Sequence, residues 1–174
     1  FLIEITKGEC DKTYKYISFN NIRKEKYRLI TKIADEYVEK QEVNEKAHNH
    51  YENIKNNILY LKEKGIKTVD YIENQVIRSK YIEQKKLLNN VLTELLEKNK
   101  INEFYEILNR FIKTISIDTY HEKDYDKTAF GKYGIEVQDK GIINDLHFTP
   151  KGLWDMTLKN CFYIENDFYF FDQE

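Results

Sequence analysis

The hydrophobic period changes at Asn44, and no other feature of the sequence constrains the fold as much. Before it, apolar residues recur at every second position. Phe1, Ile3 and Ile5 share one face, and Thr13-Tyr14-Lys15-Tyr16-Ile17-Ser18-Phe19 alternates again after the turn-like Lys7–Asp11. Residues 27–33 and 36–41 continue in the same manner, the alternation expected of half-buried strands. Beyond Asn44, a suitable N-cap, Ala47, Tyr51, Ile54, Ile58 and Leu61 recur at helical spacing until Gly65, a suitable C-terminal cap. The two periods together predict a small antiparallel sheet with one long helix laid on it.

Two further strands are expected at 66–72 and 75–82, joined at Glu73-Asn74, which brings the sheet to five or six strands. From Gln84 the period is helical again. Leu87, Leu88, Val91, Leu92, Leu95 and Leu96 form one stripe, and after Asn99-Lys100 a second runs from Ile101 to Ile115. Residues 117–153 hold four of the six glycines and the only proline, so regular structure is not expected there. The last segment reads as a hairpin, with Cys161–Ile164 and Phe168–Phe171 flanking Glu165-Asn166-Asp167. The fold class is therefore α+β. It divides into a sheet, helix and hinge over residues 1–82, and a helical part over 83–174 with two helices, an irregular segment and the hairpin.

Composition narrows the function classes. With 28 Lys+Arg against 30 Asp+Glu, the formal net charge is −2 and the signs are interspersed, which argues against a phosphate-backbone binder and so against nucleic acid as a partner. No window approaches the roughly 18 uninterrupted apolar residues of a membrane span. Phe1-Leu2-Ile3-Glu4-Ile5 lack the charged n-region expected of a signal peptide. Cys10 and Cys161 lie far apart without metal-ligand spacing, as expected of reduced packing thiols in a cytoplasmic protein. The Lys, Ile, Asn and Tyr content suggests an AT-rich bacterial genome. The sequence opens on Phe1 and stops at Glu174 just after an apolar run, and reads as a segment of something longer.

The chemistry-bearing residues sit near the end. Asp155 and Asn160 are five positions apart in a loop, and the hairpin that follows returns the chain to Asp172. Three oxygen-bearing side chains can thereby meet in one place. Phosphoryl transfer needs such a set: a carboxylate to accept or orient the proton of the attacking hydroxyl, and an amide with a second carboxylate for Mg²⁺.

These pieces, D-x-x-x-x-N at Asp155 and Asn160, the hairpin, and Phe170-Phe171-Asp172-Gln173-Glu174, resemble the kinase-like fold in its aminoglycoside and choline phosphotransferase branch. The element order fits as well: strands, a long helix, two strands leading across a hinge, two helices, then the loop. It is also similar to kinase-like domains of bacterial surface-glycan biosynthesis proteins. The resemblance implies a two-lobe architecture cut short at its C-terminus, with ATP and Mg²⁺ as cofactors and a small hydroxylated acceptor such as a sugar or glycan precursor. It assigns Asp155 as catalytic base and Asn160 and Asp172 as metal ligands. Lys40 becomes the strand lysine that holds the phosphates, with Glu52 as its partner on the following helix and Glu45 as the other choice.

The sequence departs from the family pattern at three places. Leu153 stands where a histidine usually precedes the catalytic Asp, with Trp154 between them. The phosphate loop is reduced to Lys7-Gly8-Glu9. The chain stops before the helices that complete the lower lobe. These departures keep a second reading open, a non-catalytic kinase-like module that scaffolds a neighbouring glycosyltransferase or methyltransferase domain of the same polypeptide. Other features have plainer readings. His48 and His50, two apart on a helix, point about 200° apart and cannot chelate one ion unaided. His147 reads as a structural loop residue, and the aromatic run 168–171 reads as a buried strand.

Overall fold

Leu29–Ile33 and Tyr37–Glu42 pair in register from Leu29 opposite Glu42 to Ile33 opposite Val38, which puts Leu29, Ile33 and Val38 on one face. In the computed structural model, which describes residues 14–19, 21–116, 119–137, 141, 145–149, 153 and 155–173, these are β2 and β3 of an antiparallel five-stranded sheet. β1 is Tyr16–Phe19, β4 is Asp70–Glu73 and β5 is Val76–Lys80, and the strand order is β1-β2-β3-β5-β4. The strand expected at Phe1–Ile5 lies outside the described residues, as do the Lys7-Gly8-Glu9 loop, Cys10, Trp154 and Glu174.

The helix inserted between β3 and β4 begins where the period changes. The Asn44 side chain accepts the Lys46 N–H at 3.0 Å and starts a 3₁₀ turn over Glu45–Ala47, which runs into α1, His48–Glu63. Gly65 takes a φ of +73°, and the Ile66 N–H returns to the Leu61 carbonyl at 2.9 Å, the closure of a Schellman cap. The whole apolar stripe of the helix is buried: Ala47, Ile58 and Leu61 are fully buried, and Tyr51 and Ile54 nearly so. Tyr51, Ile54 and Ile58 form one cluster with Leu29 of β2 and Ile77 of β5. Truncating Ile58 to Ala at this sealed contact is expected to cost about 2–5 kcal/mol of stability. Leu59→Ala, at a position 54% exposed, should stay within about 0.5 kcal/mol, and urea unfolding of both variants checks the contrast.

Several expected boundaries move by a few residues, and two of these shifts have a clear physical reason. The β4–β5 turn is Asn74-Gln75, one residue later than the sequence suggests, with φ of 49° and 67° at its two positions. Positive φ at both central residues gives the tight turn that matches strand twist. Of the strand expected over 66–72, only Asp70 onward joins the sheet. Residues 67–69 pair instead with the terminal hairpin, through Phe170 N–H to Lys67 O at 3.0 Å and Val69 N–H to Phe170 O at 2.8 Å.

That hairpin is β6, Cys161–Ile164, and β7, Asp167–Phe170, joined at Glu165-Asn166 with φ of 52° and 63°. The fully buried Cys161 carries a thiol whose pKa burial pushes up to about 12. It is a packing residue, as its isolation in the sequence suggests. α2, Leu88–Glu97, follows β5 after a 3₁₀ turn and closes at Asn99, whose φ of 56° lets it stand where glycine usually ends a helix.

The chain forms two compact units, residues 1–105 with 153–174, and residues 106–152. Helix α3, Ile101–Ile115, runs from the first into the second. Beyond α3 the second unit is mainly irregular in its described residues, as expected for 117–153 from its glycines and proline. It holds a short α4, Ala129–Lys132, capped by Thr128, a bridge between Tyr120 and Phe148, and His147 with its ring 4.1 Å from that of His121. No helix among the described residues is long and apolar enough to cross a membrane.

Candidate functional site

The two faces of the sheet have different characters. On one, Glu39 is buried under charge partners: Arg78 Nε at 3.2 Å, the Gln41 amide at 2.6 Å and Lys32 Nζ at 3.9 Å. On the other lie Val38 and Lys40, offset by one residue from Glu39, so that a strand that is polar outward is mixed inward. This inner face supports α1 on one part and a cavity of about 500 Å³ on another, a size within the range of about 300–1,000 Å³ usual for small-molecule sites. Leu29, Val38, Leu87 and Phe171 supply apolar lining, and Lys40, Asp70 and Asp172 supply charge. The connection after β5 contributes Tyr81 and Ile82.

Lys40 is aligned through its backbone. The Tyr51 hydroxyl donates to the Lys40 carbonyl at 2.9 Å and accepts the Ile77 N–H at 2.9 Å, and Lys40 and Ile77 are cross-strand partners. One phenol from α1 therefore pins two strands at the position of the lysine. Burial pushes the Tyr51 pKa up, opposed by the bond from the Ile77 N–H. The Lys40 ammonium forms an ion pair with the Asp172 carboxylate, 132 residues away in sequence. The Lys40 side chain is 13% exposed and that of Asp172 38%.

Asp172 follows the hairpin in a left-handed conformation, with φ of 58°. The segment around it is held from several sides. The Asp172 N–H donates to Asp70 Oδ2 at 2.9 Å, the Phe171 N–H to the Asn160 carbonyl at 3.1 Å, and Asn57 Nδ2 to the Gln173 carbonyl at 3.0 Å. Gln173, itself buried, donates through Nε2 to the Asp155 carbonyl at 3.3 Å. Phe171 stacks on Phe162 with ring centroids 4.7 Å apart. The loop bearing Asp155 and Asn160 is thus stitched to the segment bearing Asp172, and Asn160 Nδ2 lies 3.5 Å from Asp155 Oδ1.

Of the residues singled out from the sequence, Lys40 and Asp172 meet directly, and Asp155 and Asn160 meet each other beside them. Glu52 forms its ion pair with Lys55 at 2.7 Å, one turn along α1. The Lys55 ammonium also sits 4.7 Å from the centre of the Tyr51 ring. Glu45 is exposed at the start of the 3₁₀ turn. His48 pairs with Glu42 at 3.0 Å.

Sequence reasoning missed Asp70. Its relative exposure is 3%, and it receives the Ser79 hydroxyl and the Asp172 N–H on its two oxygens. Burial raises its pKa above the usual carboxylate range, opposed by the Ser79 bond and the nearby Lys40 charge. A signal was present in the sequence. Asp70 falls in phase with Ile66 and Ile72, a carboxylate on the face where an apolar residue is expected.

The amide of Asn160 and the carboxylate of Asp172 are hard oxygen donors, suited to Mg²⁺, which takes one or two protein ligands and completes its shell with water and phosphate oxygens. Among the described residues, no group of three or more His, Cys, Asp or Glu side chains is arranged to hold a metal ion. No protein-family model matches the chain, and no curated protein or solved structure matches it.

Proposed function

We propose that the chain is a kinase-like phosphotransferase module that binds ATP with Mg²⁺ and transfers a phosphoryl group to a small hydroxylated acceptor such as a sugar or glycan precursor. The observation that carries this reading is the ion pair between Lys40 on β3 and Asp172 after the hairpin, in a cavity lined by both apolar and charged side chains. A flat base suits the apolar part and a polyphosphate suits the lysine. The strand lysine and the carboxylate of the metal-binding segment must converge on one nucleotide in a kinase-like site, and here they touch. The order of elements, three strands, a helix, two strands and then helices before the loop, supports the same two-lobe architecture.

In this reading Lys40 holds the phosphates by charge, and Asn160 and Asp172 would hold Mg²⁺, whose contribution is to neutralise the phosphate oxygens. Asp155 accepts the proton of the attacking hydroxyl. A phosphoryl-transfer site works mostly by positioning and charge, which the bonds between the 155–160 loop and the 171–173 segment favour. A cytoplasmic setting, where Mg·ATP is abundant, goes with this assignment.

A second reading is favoured by one specific observation. Glu52 is engaged with Lys55 while Lys40 is engaged with Asp172, so the lysine's observed partner is the proposed metal ligand. Together with Leu153 in the histidine position, this suits a non-catalytic module that scaffolds a neighbouring domain. Calorimetric titration of the chain with ATP, with Mg²⁺ and then with EDTA, tests the main reading. Saturable binding strengthened by Mg²⁺ is expected, and no heat in either buffer would sink it.

A further inference from the structure

We propose that Asp70 is a positioning residue that fixes the turn at Asp172 and so presents the Asp172 carboxylate to the metal; its consequence for Mg²⁺ rests on the phosphotransferase reading. Three observations converge on it. Asp172 holds a φ of 58°, a left-handed turn conformation that Asp adopts more readily than most residues but less readily than glycine. The single N–H of Asp172 is taken by Asp70 Oδ2 at 2.9 Å. Asp70 is itself fixed, because the Ser79 hydroxyl holds its other oxygen, the Thr68 hydroxyl donates to its carbonyl at 2.8 Å, and its relative exposure is 3%.

A buried carboxylate is a costly way to satisfy one backbone N–H. An apolar residue in phase with Ile66 and Ile72 would serve the strand as well. What the side chain adds is an acceptor rigidly aimed at the residue whose side chain meets Lys40. Asp70 lines the same cavity as Lys40 and Asp172, so one ammonium faces two carboxylates. When a polyphosphate engages Lys40, the Asp172 carboxylate loses its ion-pair partner. The bond from its N–H to Asp70 then keeps the turn in place while the side chain is available to Mg²⁺. Groups that orient a metal ligand in this way typically change metal affinity by about 10–100-fold when removed.

The test uses the whole chain. Without nucleotide, the Asp172 amide should exchange with deuterium at least about 100-fold slower than in a free peptide, because its hydrogen is committed to a buried carboxylate. Exchange at the free-peptide rate overturns the proposal without any substitution. Asp70→Ala should speed exchange at residues 171–173 about tenfold or more, leaving α1 unchanged. Asp70→Asn, which keeps an acceptor oxygen and the volume, should stay within about threefold of the unsubstituted chain.

In calorimetry, the factor by which Mg²⁺ strengthens ATP binding should fall about tenfold in Asp70→Ala. Equal losses in both buffers, or faster exchange spread evenly through α1, β4 and β5, would make Asp70 a residue of the fold alone and overturn the proposal. If the unsubstituted chain binds no ATP, the phosphotransferase reading falls, and the exchange measurements still decide whether Asp70 holds the turn. Should Asp70→Ala not fold, the Asp172 protection in the unsubstituted chain decides it.

Discussion

Asp155→Asn is expected to lower phosphoryl transfer by about 10²–10⁴-fold, the usual loss when a positioned general base is removed, while Mg·ATP affinity changes little. The substitution separates geometry from proton transfer. Two of the bonds that hold the loop are made by the Asp155 backbone carbonyl, which accepts the Thr157 N–H at 2.8 Å and Gln173 Nε2 at 3.3 Å. Neither depends on the side chain. An asparagine also keeps an oxygen that can face Asn160 Nδ2, which lies 3.5 Å from Asp155 Oδ1. What disappears is a site able to accept the hydroxyl proton. Transfer of the γ-phosphoryl group to water, with labelled ATP, serves as the assay before an acceptor is identified. A fall in turnover with unchanged affinity assigns the base. Unchanged turnover removes Asp155 from the chemistry. The non-catalytic reading expects ATP binding with no transfer above background in either protein.

The fold was legible where the sequence carries a period. The switch at Asn44 located the sheet and the helix, and the stripe from Ala47 to Leu61 is buried throughout, because a helix on a sheet has one face to hide and the pattern records which. Turns were legible to within a residue. The shift to Asn74-Gln75 follows from backbone conformation, since both residues adopt positive φ although neither is glycine. The pairing of residues 67–69 with the end of β7 was not legible. Ile66 to Ile72 alternates like a single strand, and nothing local says that half of it bonds to a segment about 100 residues later. Which partner a strand end takes is a property of tertiary packing, which local pattern does not encode.

The candidate site divides in a similar way. The spacing of Asp155 and Asn160 and the hairpin that leads to Asp172 were legible, because a two-residue turn returns the chain to its start; the structure joins the 155–160 loop to the 171–173 segment through the Phe171 N–H and the Gln173 amide. Lys40 was legible only as a lysine on the third strand, and its contact with Asp172 depends on how the hairpin docks on the segment before β4. The Glu52–Lys55 pair shows the opposite case. Residues three apart on a helix pair locally whatever the distant site requires, and the Lys55 side chain is only 8% exposed, so the local partner competes well. Gln173 and Asn57 carried no signal, since an amide that serves a backbone carbonyl has no repeat or spacing to betray it.

Lys40→Met should raise the dissociation constant for Mg·ATP by about 10–100-fold, as the loss of a charge-assisted contact worth about 1.5–3 kcal/mol implies, yet leave the protein folded. Methionine keeps the length of the lysine stem, so contacts of the buried methylenes with the cavity wall largely survive. Only the charge is removed. For stability the loss is modest, because the Asp172 side chain is 38% exposed and water can solvate it once the ammonium has gone. A pair this open contributes about 1 kcal/mol or less. For a polyphosphate the balance differs, since the Lys40 side chain is 13% exposed and its charge acts in a partly dry cavity where screening is weaker. The sign of a third measurement distinguishes this account from general damage. With its ammonium partner removed, the Asp172 carboxylate should bind Mg²⁺ more tightly in the absence of nucleotide, while Mg·ATP binds more weakly. Damage to the fold would weaken both. If Lys40→Met leaves Mg·ATP affinity unchanged, the lysine does not hold the phosphates, and the pair with Asp172 becomes a feature of the fold.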